Sequence, residues 1–192
     1  MTSYIALSEC SPSDGVRLLA QAERIFFETT PTKTFESAAA RTAFQRRWFG
    51  NYADAHPGAF VFALDENGSV AGYVAGCPDS FSLASKTIIG DIAYFTHSFR
   101  AALKNYPSHF HINVKSALQG RGIGHCLVAW FAEICGRNGS PGIHVVTSAT
   151  SRAVKFYEAC GFSSVTPYAG ADPGLAVLIR ATVVPQKGPS AT

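Results

Sequence analysis

Three glycines at alternate positions separate a strand-like segment from a helix-like segment. They lie in QGRGIG at 119–124, between the alternating run HFHINVKSAL and the run GIGHCLVAWFAEICGR, whose apolar residues recur with helical period. Glycine disfavours a helix start unless the backbone needs a positive φ or a close approach. A strand that turns through such a loop into a helix presents unpaired N–H groups at the positive helix end. The pattern therefore predicts an α/β chain that binds a ligand carrying phosphates.

Two other kinds of phosphate loop are excluded by the residues around these glycines. A Walker A loop requires Lys and then Ser or Thr after its last glycine, whereas His125 and Cys126 follow Gly124. A dinucleotide fingerprint requires GxGxxG, and the third glycine here comes one position early. The loop is therefore expected to bind a different phosphate-bearing ligand.

The run HFHINV, residues 109–114, alternates as a strand does. His109, His111 and Asn113 are expected on one face, and the three apolar residues on the other. A helix at 122–137 connects this run to a buried, β-rich run at 143–147. Because a helix joins the two strands, they are predicted to be parallel.

The remaining segments complete one domain with strands and helices. The patterns predict an edge strand at 4–7, helices at 16–28, 35–52 and 151–159, a hairpin of AFVFAL and VAGYVAG closed by an Asn-Gly turn, and final strands at 162–165 and 175–179. Val16 and Trp130 are placed on the buried faces of their helices. We expect one domain over 1–183 and a disordered tail over 184–192.

Composition limits the class of protein. A chain of 192 residues with 47% apolar content is long enough to bury one core. The net charge of +3 comes from dispersed Lys and Arg, which argues against nucleic-acid binding. No apolar run has the length of a membrane span and the polar start does not resemble a signal peptide, so a cytoplasmic protein is expected. The five cysteines show no CxxC spacing and are expected to be reduced.

The glycine loop and a second motif together resemble the GCN5-related N-acetyltransferase (GNAT) superfamily, which binds acetyl-CoA. Gln119, Gly122 and Gly124 match its Gln/Arg-x-x-Gly-x-Gly/Ala loop. A later pattern, Asn-x-x-Ala-x-x-Phe-Tyr-x-x-x-Gly-Phe, is matched by Ala153, Phe156, Tyr157, Gly161 and Phe162, with Ser151 at or beside the Asn position. YPSHFHINVKSALQGRGIG resembles the group with Tyr-Pro-x-His-x-His-Ile-Asp, which includes the acetyltransferase-like domain of some O-GlcNAc hydrolases and its bacterial relatives. The resemblance covers roughly residues 105 to 165.

The resemblance implies a fold and a coenzyme site. The fold is a mixed α/β (α+β) sheet of about six to seven strands, in which the parallel fourth and fifth strands splay apart and admit the pantetheine arm. The loop N–H groups would hold the pyrophosphate, and the main chain of Ile112 and Val114 would pair with the pantetheine amides. The residues expected to contact coenzyme A are Ile112, Asn113, Val114, Gln119, Gly120, Arg121, Gly122, Ile123, Gly124, Ser151, Phe156 and Tyr157.

Acetyl transfer from a thioester to an amine needs a neutral amine, a stabilised oxyanion and a protonated leaving thiolate. The resemblance makes Tyr157 the thiolate acid; otherwise it is an aromatic residue on a buried helix face. The resembled group carries His-x-His-x-Asp before the loop, but Asn113 occupies the last place and cannot accept a proton. His111 and Asp91 are the alternatives that accept a proton, although a histidine inside a sheet is also common as a hydrogen-bonded core residue.

The sequence thus predicts a single-domain, acyl-CoA-dependent N-acetyltransferase. Tyr157, His111 and Asn113 are its expected catalytic residues, with acetyl-CoA and an amine acceptor as its ligands. His109, His111 and His144 lack a neighbouring carboxylate, so no metal is expected. The alternative is a catalytically weakened module that binds acetyl-CoA or serves as an interaction surface. A homodimer is left open.

Overall fold

The computed structural model describes residues 2–90, 103–165 and 174–183. Its strands are β1 Ser3–Ala6, β2 Phe60–Leu64, β3 Val70–Cys77, β4 His109–Val114, β5 Gly142–Ser148, β6 Ser163–Val165 and β7 Leu175–Ala181. Its α-helices are α1 Pro12–Thr29, α2 Ala38–Gln45, α3 Asn51–Ala55, α4 Lys86–Ile89, α5 Ile123–Arg137 and α6 Ala153–Ala159. This mixture of strands and helices confirms the predicted fold class.

The first helix begins earlier than predicted, and one residue expected on its buried face is exposed. The Ser11 side chain accepts a hydrogen bond from the Asp14 N–H, which caps α1 ahead of Pro12. The buried face contains Leu18 and Ile25, while Val16 is 72% exposed. Val16 was therefore placed wrongly, because it lies two positions from Leu18 and so on nearly the opposite side of the helix.

The predicted second helix is interrupted. Between α2 and α3 the chain forms a π-helical turn, Arg46–Gly50, that accommodates an extra residue. Trp48 lies in this turn and Tyr52 follows it, and both contact the ring of His111. The turn therefore brings two aromatic side chains against β4.

The strands form two antiparallel sheets. One has the order β1-β2-β3-β4, and the other the order β5-β7-β6. The predicted hairpin is confirmed between β2 and β3, where the Gly68 N–H donates to the Asp65 carbonyl and Gly68 has a φ of 70°. The strand near the start of the chain is an edge strand, as predicted.

The two sheets meet at one point, between the starts of β4 and β5. An isolated parallel bridge joins Ser108 to Ile143. Beyond this bridge, within the described ranges, β4 pairs with β3 and β5 pairs with β7. The two strands therefore run parallel at first and then separate, which confirms the predicted splay.

Helices cover both faces of the four-stranded sheet. On one face, α5 contributes Leu127 and Phe131 to a core with Val61, Val74 and Phe110. On the other, residues of α1 and α3 pack with the π turn on alternate residues of β2 and β3. Trp130 was predicted to be buried in the first core, but it is 37% exposed and stacks on Tyr4.

Some expectations lie outside the described residues. These are Asp91 as an alternative base and the tail at 184–192. Within the described ranges, no helix combines the length and apolar character needed to cross a membrane.

Candidate functional site

A cavity of about 550 Å³ lies where β4, the glycine loop and α6 meet. The predicted coenzyme residues that line it are Ile112, Val114, Gln119, Gly120, Gly122, Ile123, Gly124, Phe156 and Tyr157. Asn113, Arg121 and Ser151 are not among the lining residues. Four lining residues were not predicted, namely Leu118, His125, Arg152 and Ala153. The structure thus gathers both sequence motifs around one cavity.

The main-chain groups of Ile112 and Val114 point into the gap between β4 and β5. The Lys115 N–H donates to β3, whereas the Ser108 N–H donates to β5. Since these groups alternate in direction along a strand, the odd-numbered residues of β4 pair with β3 and the even-numbered residues face the gap. The splay therefore leaves Ile112 and Val114 without a neighbouring strand on that side among the residues that the structure describes.

Each glycine of the loop meets a separate steric requirement. Gly120 and Gly122 have φ values of 76° and 81°, a region that disfavours other residues. Gly124 has no such φ, but a Cβ there would lie 3.1 Å from two ring carbons of Phe156. The loop therefore needs glycine twice for backbone conformation and once for space.

The loop presents a row of N–H groups ahead of the helix. The first main-chain bond of α5 runs from the Cys126 N–H to the Gly122 carbonyl at 3.1 Å, so the N–H groups at 122–125 precede the helical ladder. Gln119 is turned the other way, since its own N–H donates weakly to Ser116 and its side chain donates to the Val114 carbonyl at 3.2 Å. This arrangement suits a diphosphate, and Arg152 on the cavity wall adds a positive charge.

Tyr157 lies on α6 among aromatic side chains at the cavity. Its ring centre is 5.9 Å from that of Phe110 and 5.7 Å from that of Phe162. Burial raises the pKa of its phenol to about 12, with a smaller contribution from Cys160. The phenol therefore stays protonated at neutral pH. The helix begins at Ala153, two residues later than predicted, and its N-cap is Arg152 rather than Ser151, whose Oγ accepts from the Ala153 N–H at 3.1 Å just ahead of the helix.

Asn113 lies on the other face of β4, where both ends of its amide are bound. The Tyr73 hydroxyl donates to its Oδ1 at 2.9 Å, and its Nδ2 donates to the Thr29 Oγ1 at 2.6 Å. The Thr29 hydroxyl in turn donates a hydrogen bond to the Ile25 carbonyl at 2.7 Å. Asn113 therefore ties the end of α1 to β3 and β4, and its side chain is directed away from the coenzyme cavity.

His109 and His111 share that face, as predicted, and are bridged by Tyr52. The Tyr52 hydroxyl lies 2.9 Å from the His109 Nε2 and 3.1 Å from the His111 Nε2. The rings of Trp48 and His111 are nearly perpendicular, with ring centres 5.0 Å apart. Burial lowers the pKa of His111 to about 4 and that of His109 well below its ordinary value. Both rings are therefore neutral at physiological pH.

Sequence reasoning missed Tyr52 and Ser80 as partners of the two histidines. Ser80 lies 2.7 Å from the His109 Nδ1. Neither residue belongs to a motif, and both are far from β4 along the chain. His109 and His144 approach within 5.4 Å between ring centres, but the described part of the chain contains no group of three potential metal ligands.

Comparison with known proteins agrees with this geometry. A family model described as the acetyltransferase (GNAT) family matches residues 17–162. The crystal structure of SsHAT aligns with a TM-score of 0.67 at 18% identity, over 94% of this chain and 98% of that one. A protein from Pyrococcus horikoshii OT3 aligns with a TM-score of 0.65 at 15% identity, over 95% and 99% of the two chains.

A third structure contains the coenzyme. It is a GNAT superfamily phosphinothricin acetyltransferase from Sinorhizobium meliloti, solved in complex with AcCoA. It aligns with a TM-score of 0.56 at 19% identity, over 94% of this chain and 88% of that chain. At these identities, the three likenesses show a common fold.

Proposed function

The chain belongs to the GNAT acetyltransferase family, whose acetyl donor is acetyl-CoA, and on this premise we propose that it transfers the acetyl group directly to an amine of its acceptor. One observation carries the proposal. The row of N–H groups at the start of α5 and the open edge of β4 border one cavity, which Tyr157 also lines. Direct transfer needs no covalent intermediate on the protein.

The residues of the cavity fit the donor. The N–H groups of the loop bind the diphosphate, and Arg152 contributes a cation beside it. The main-chain groups of Ile112 and Val114 pair with the amides of the pantetheine arm as a neighbouring strand would. Acetyl-CoA supplies the activated acetyl group as a thioester.

The catalytic step uses residues on both sides of β4. Tyr157 donates its phenolic proton to the sulfur as the C–S bond breaks, since it is protonated at neutral pH. His111 accepts the proton that the amine nitrogen loses as the C–N bond forms. Asn113 positions the acceptor side by fixing α1 against β4. Solvent returns a proton to Tyr157 and removes the one on His111, so the cycle balances.

A panel of primary amines tests the proposal. The purified protein is mixed with acetyl-CoA and small amines, aminosugars, peptides with free N-termini and lysine peptides, and free thiol is measured together with the mass of the product. Amine-dependent thiol release with a product heavier by one acetyl group is expected. Acetyl-CoA binding by calorimetry without release for any amine would instead support the weakened binding module, which the Asn at position 113 favours.

A further inference from the structure

The hydrogen bonds around His111 have a fixed direction, which starts at the Pro107 carbonyl. The Ser80 Oγ lies 2.5 Å from this oxygen. A carbonyl oxygen can only accept, so the Ser80 hydroxyl hydrogen must lie between the two atoms. Ser80 therefore has only lone pairs to offer to the His109 Nδ1, which lies 2.7 Å from its oxygen.

This direction propagates through three further groups. His109 must donate from Nδ1, and because burial keeps it neutral, its Nε2 must accept. The hydrogen that it accepts comes from the Tyr52 hydroxyl at 2.9 Å. The Tyr52 oxygen then accepts from the Nε2–H of His111 at 3.1 Å. Each ring thus has one consistent tautomer, and the two tautomers are opposite.

We propose that Ser80, His109 and Tyr52 are positioning residues that hold His111 as the Nε2–H tautomer, so that its Nδ1 is the atom that receives the amine proton. This inference rests on the proposed function. The Nδ1 of His111 makes no hydrogen bond within the described ranges, and the residue as a whole keeps some exposure although its ring lies deep enough for burial to lower its pKa. Trp48 restricts rotation of the ring from one side.

The chain of hydrogen bonds orients His111 and does not conduct protons away from it. Along this chain of hydrogen bonds, a proton that moved inward would arrive at the Pro107 carbonyl, which cannot pass it on. We therefore expect the proton taken up at Nδ1 to return to solvent on the acceptor side. When Nδ1 is protonated, the Nε2–H bond to Tyr52 persists, so the network need not rearrange during turnover.

Nitrogen NMR of the wild-type protein tests the tautomers directly. Histidine labelled with ¹⁵N is observed by long-range proton–nitrogen correlation at pH 7.5, and the signals are assigned with His111→Gln and His109→Gln variants. We expect a protonated Nε2 and an unprotonated Nδ1 for His111, and the reverse for His109. A proton on the Nδ1 of His111 overturns the proposal, and this measurement needs no substitution in Tyr52.

A variant then tests the catalytic consequence. Tyr52→Phe removes the hydroxyl, so His111 is expected to show both tautomers and kcat to fall about 10- to 100-fold with KM for acetyl-CoA unchanged. Tyr73→Phe is the matched control, because it removes a hydroxyl bound to Asn113 on the same face and should leave both histidine tautomers as in the wild type. An unchanged kcat in a folded Tyr52→Phe protein overturns the positioning role.

The results separate this inference from the proposed function. The expected tautomers without amine-dependent thiol release would refute the acetyl transfer proposal and, with it, the role of Nδ1 in turnover, while leaving the tautomer assignment intact. Thiol release with the opposite tautomer of His111 would refute only the inference.

Discussion

The two faces of β4 differ in the atoms that they offer to ligands. On the α5 and α6 side, the site consists of main-chain groups, glycines and apolar walls, and Tyr157, the proposed acid, lines it. On the α1 and α3 side, polar side chains at alternate positions are bound to Tyr52, Tyr73 and Thr29. The first face suits the coenzyme, because main-chain groups and backbone shape can bind it. The second face suits an acceptor that is recognised and activated by side chains.

The difference also affects how each face responds to substitution. A main-chain site is lost mainly through changes in backbone conformation or steric access. A side-chain network is sensitive to the replacement of a single donor or acceptor, because the remaining buried group loses its partner. Four predictions use this contrast.

The largest effect is expected for Tyr157→Phe. Loss of the phenolic proton donor should lower kcat about 1000-fold, while acetyl-CoA affinity changes little because the ring and its packing remain. Steady-state kinetics and calorimetry measure the two quantities. Tyr4→Phe is the control, because Tyr4 lies outside the cavity. A normal kcat in Tyr157→Phe would contradict the role of Tyr157 as the proton donor.

Gly122→Glu should weaken acetyl-CoA binding by the main-chain groups of the glycine loop. The substitution combines a strained positive φ with a carboxylate beside the diphosphate, and acetyl-CoA affinity should fall about 100-fold, near 3 kcal/mol. Gly139→Glu is matched, because Gly139 has a φ of 74°, open space around it and a place at the opposite end of α5. Equal affinity losses in both variants would contradict the assignment of the loop.

The fold should lose stability in acid through two buried histidine rings, His111 on the polar face of β4 and His144 on β5. Burial lowers the pKa of His111 and of His144 to about 4 from the ordinary 6.5, so their neutral forms stabilise the fold fully above pH 6.5. That stability is lost as pH falls from 6.5 towards 4, on the order of 3 kcal/mol for each residue at about 1.4 kcal/mol per pKa unit. Urea unfolding across this range measures it.

Two variants identify the source of this pH dependence. His111→Gln should reduce the slope of unfolding free energy against pH between 6.5 and 4. His125→Gln removes an exposed histidine on the loop side, away from this network, and is the matched control. The same slope in both variants and in the wild type would refute the contribution of His111.

The smallest effect is expected for Asn113→Asp. The hydroxyl hydrogen of Thr29 is committed to the Ile25 carbonyl, so a carboxylate oxygen would face a lone pair. The cost should be about 1 kcal/mol of unfolding free energy, close to one hydrogen bond. In a Thr29→Val background, the same substitution should cost less. An equal loss of unfolding free energy in both backgrounds would show that Thr29 is not the reason why Asn113 is preferred to Asp at this position.

Part of the site was predictable because neighbouring residues determine it. The alternation of residues 109–114 gave the two faces of β4, and the glycine spacing gave the loop. The predictions for Val16 and Trp130 were wrong, since periodicity alone does not show which side of a helix meets the sheet. The splay was expected only through the family resemblance, because it depends on how two sheets are joined.

The sequence by itself determined where the backbone must turn, where strands alternate and which loop presents its N–H groups. These properties belong to short contiguous segments. Only the tertiary structure decided that Tyr52, 59 residues before His111, bridges two histidines, and that Thr29, 84 residues before Asn113, binds its amide. The direction of a hydrogen bond depends on which donors and acceptors lie within hydrogen-bonding distance of each other, and folding alone brings these distant groups together.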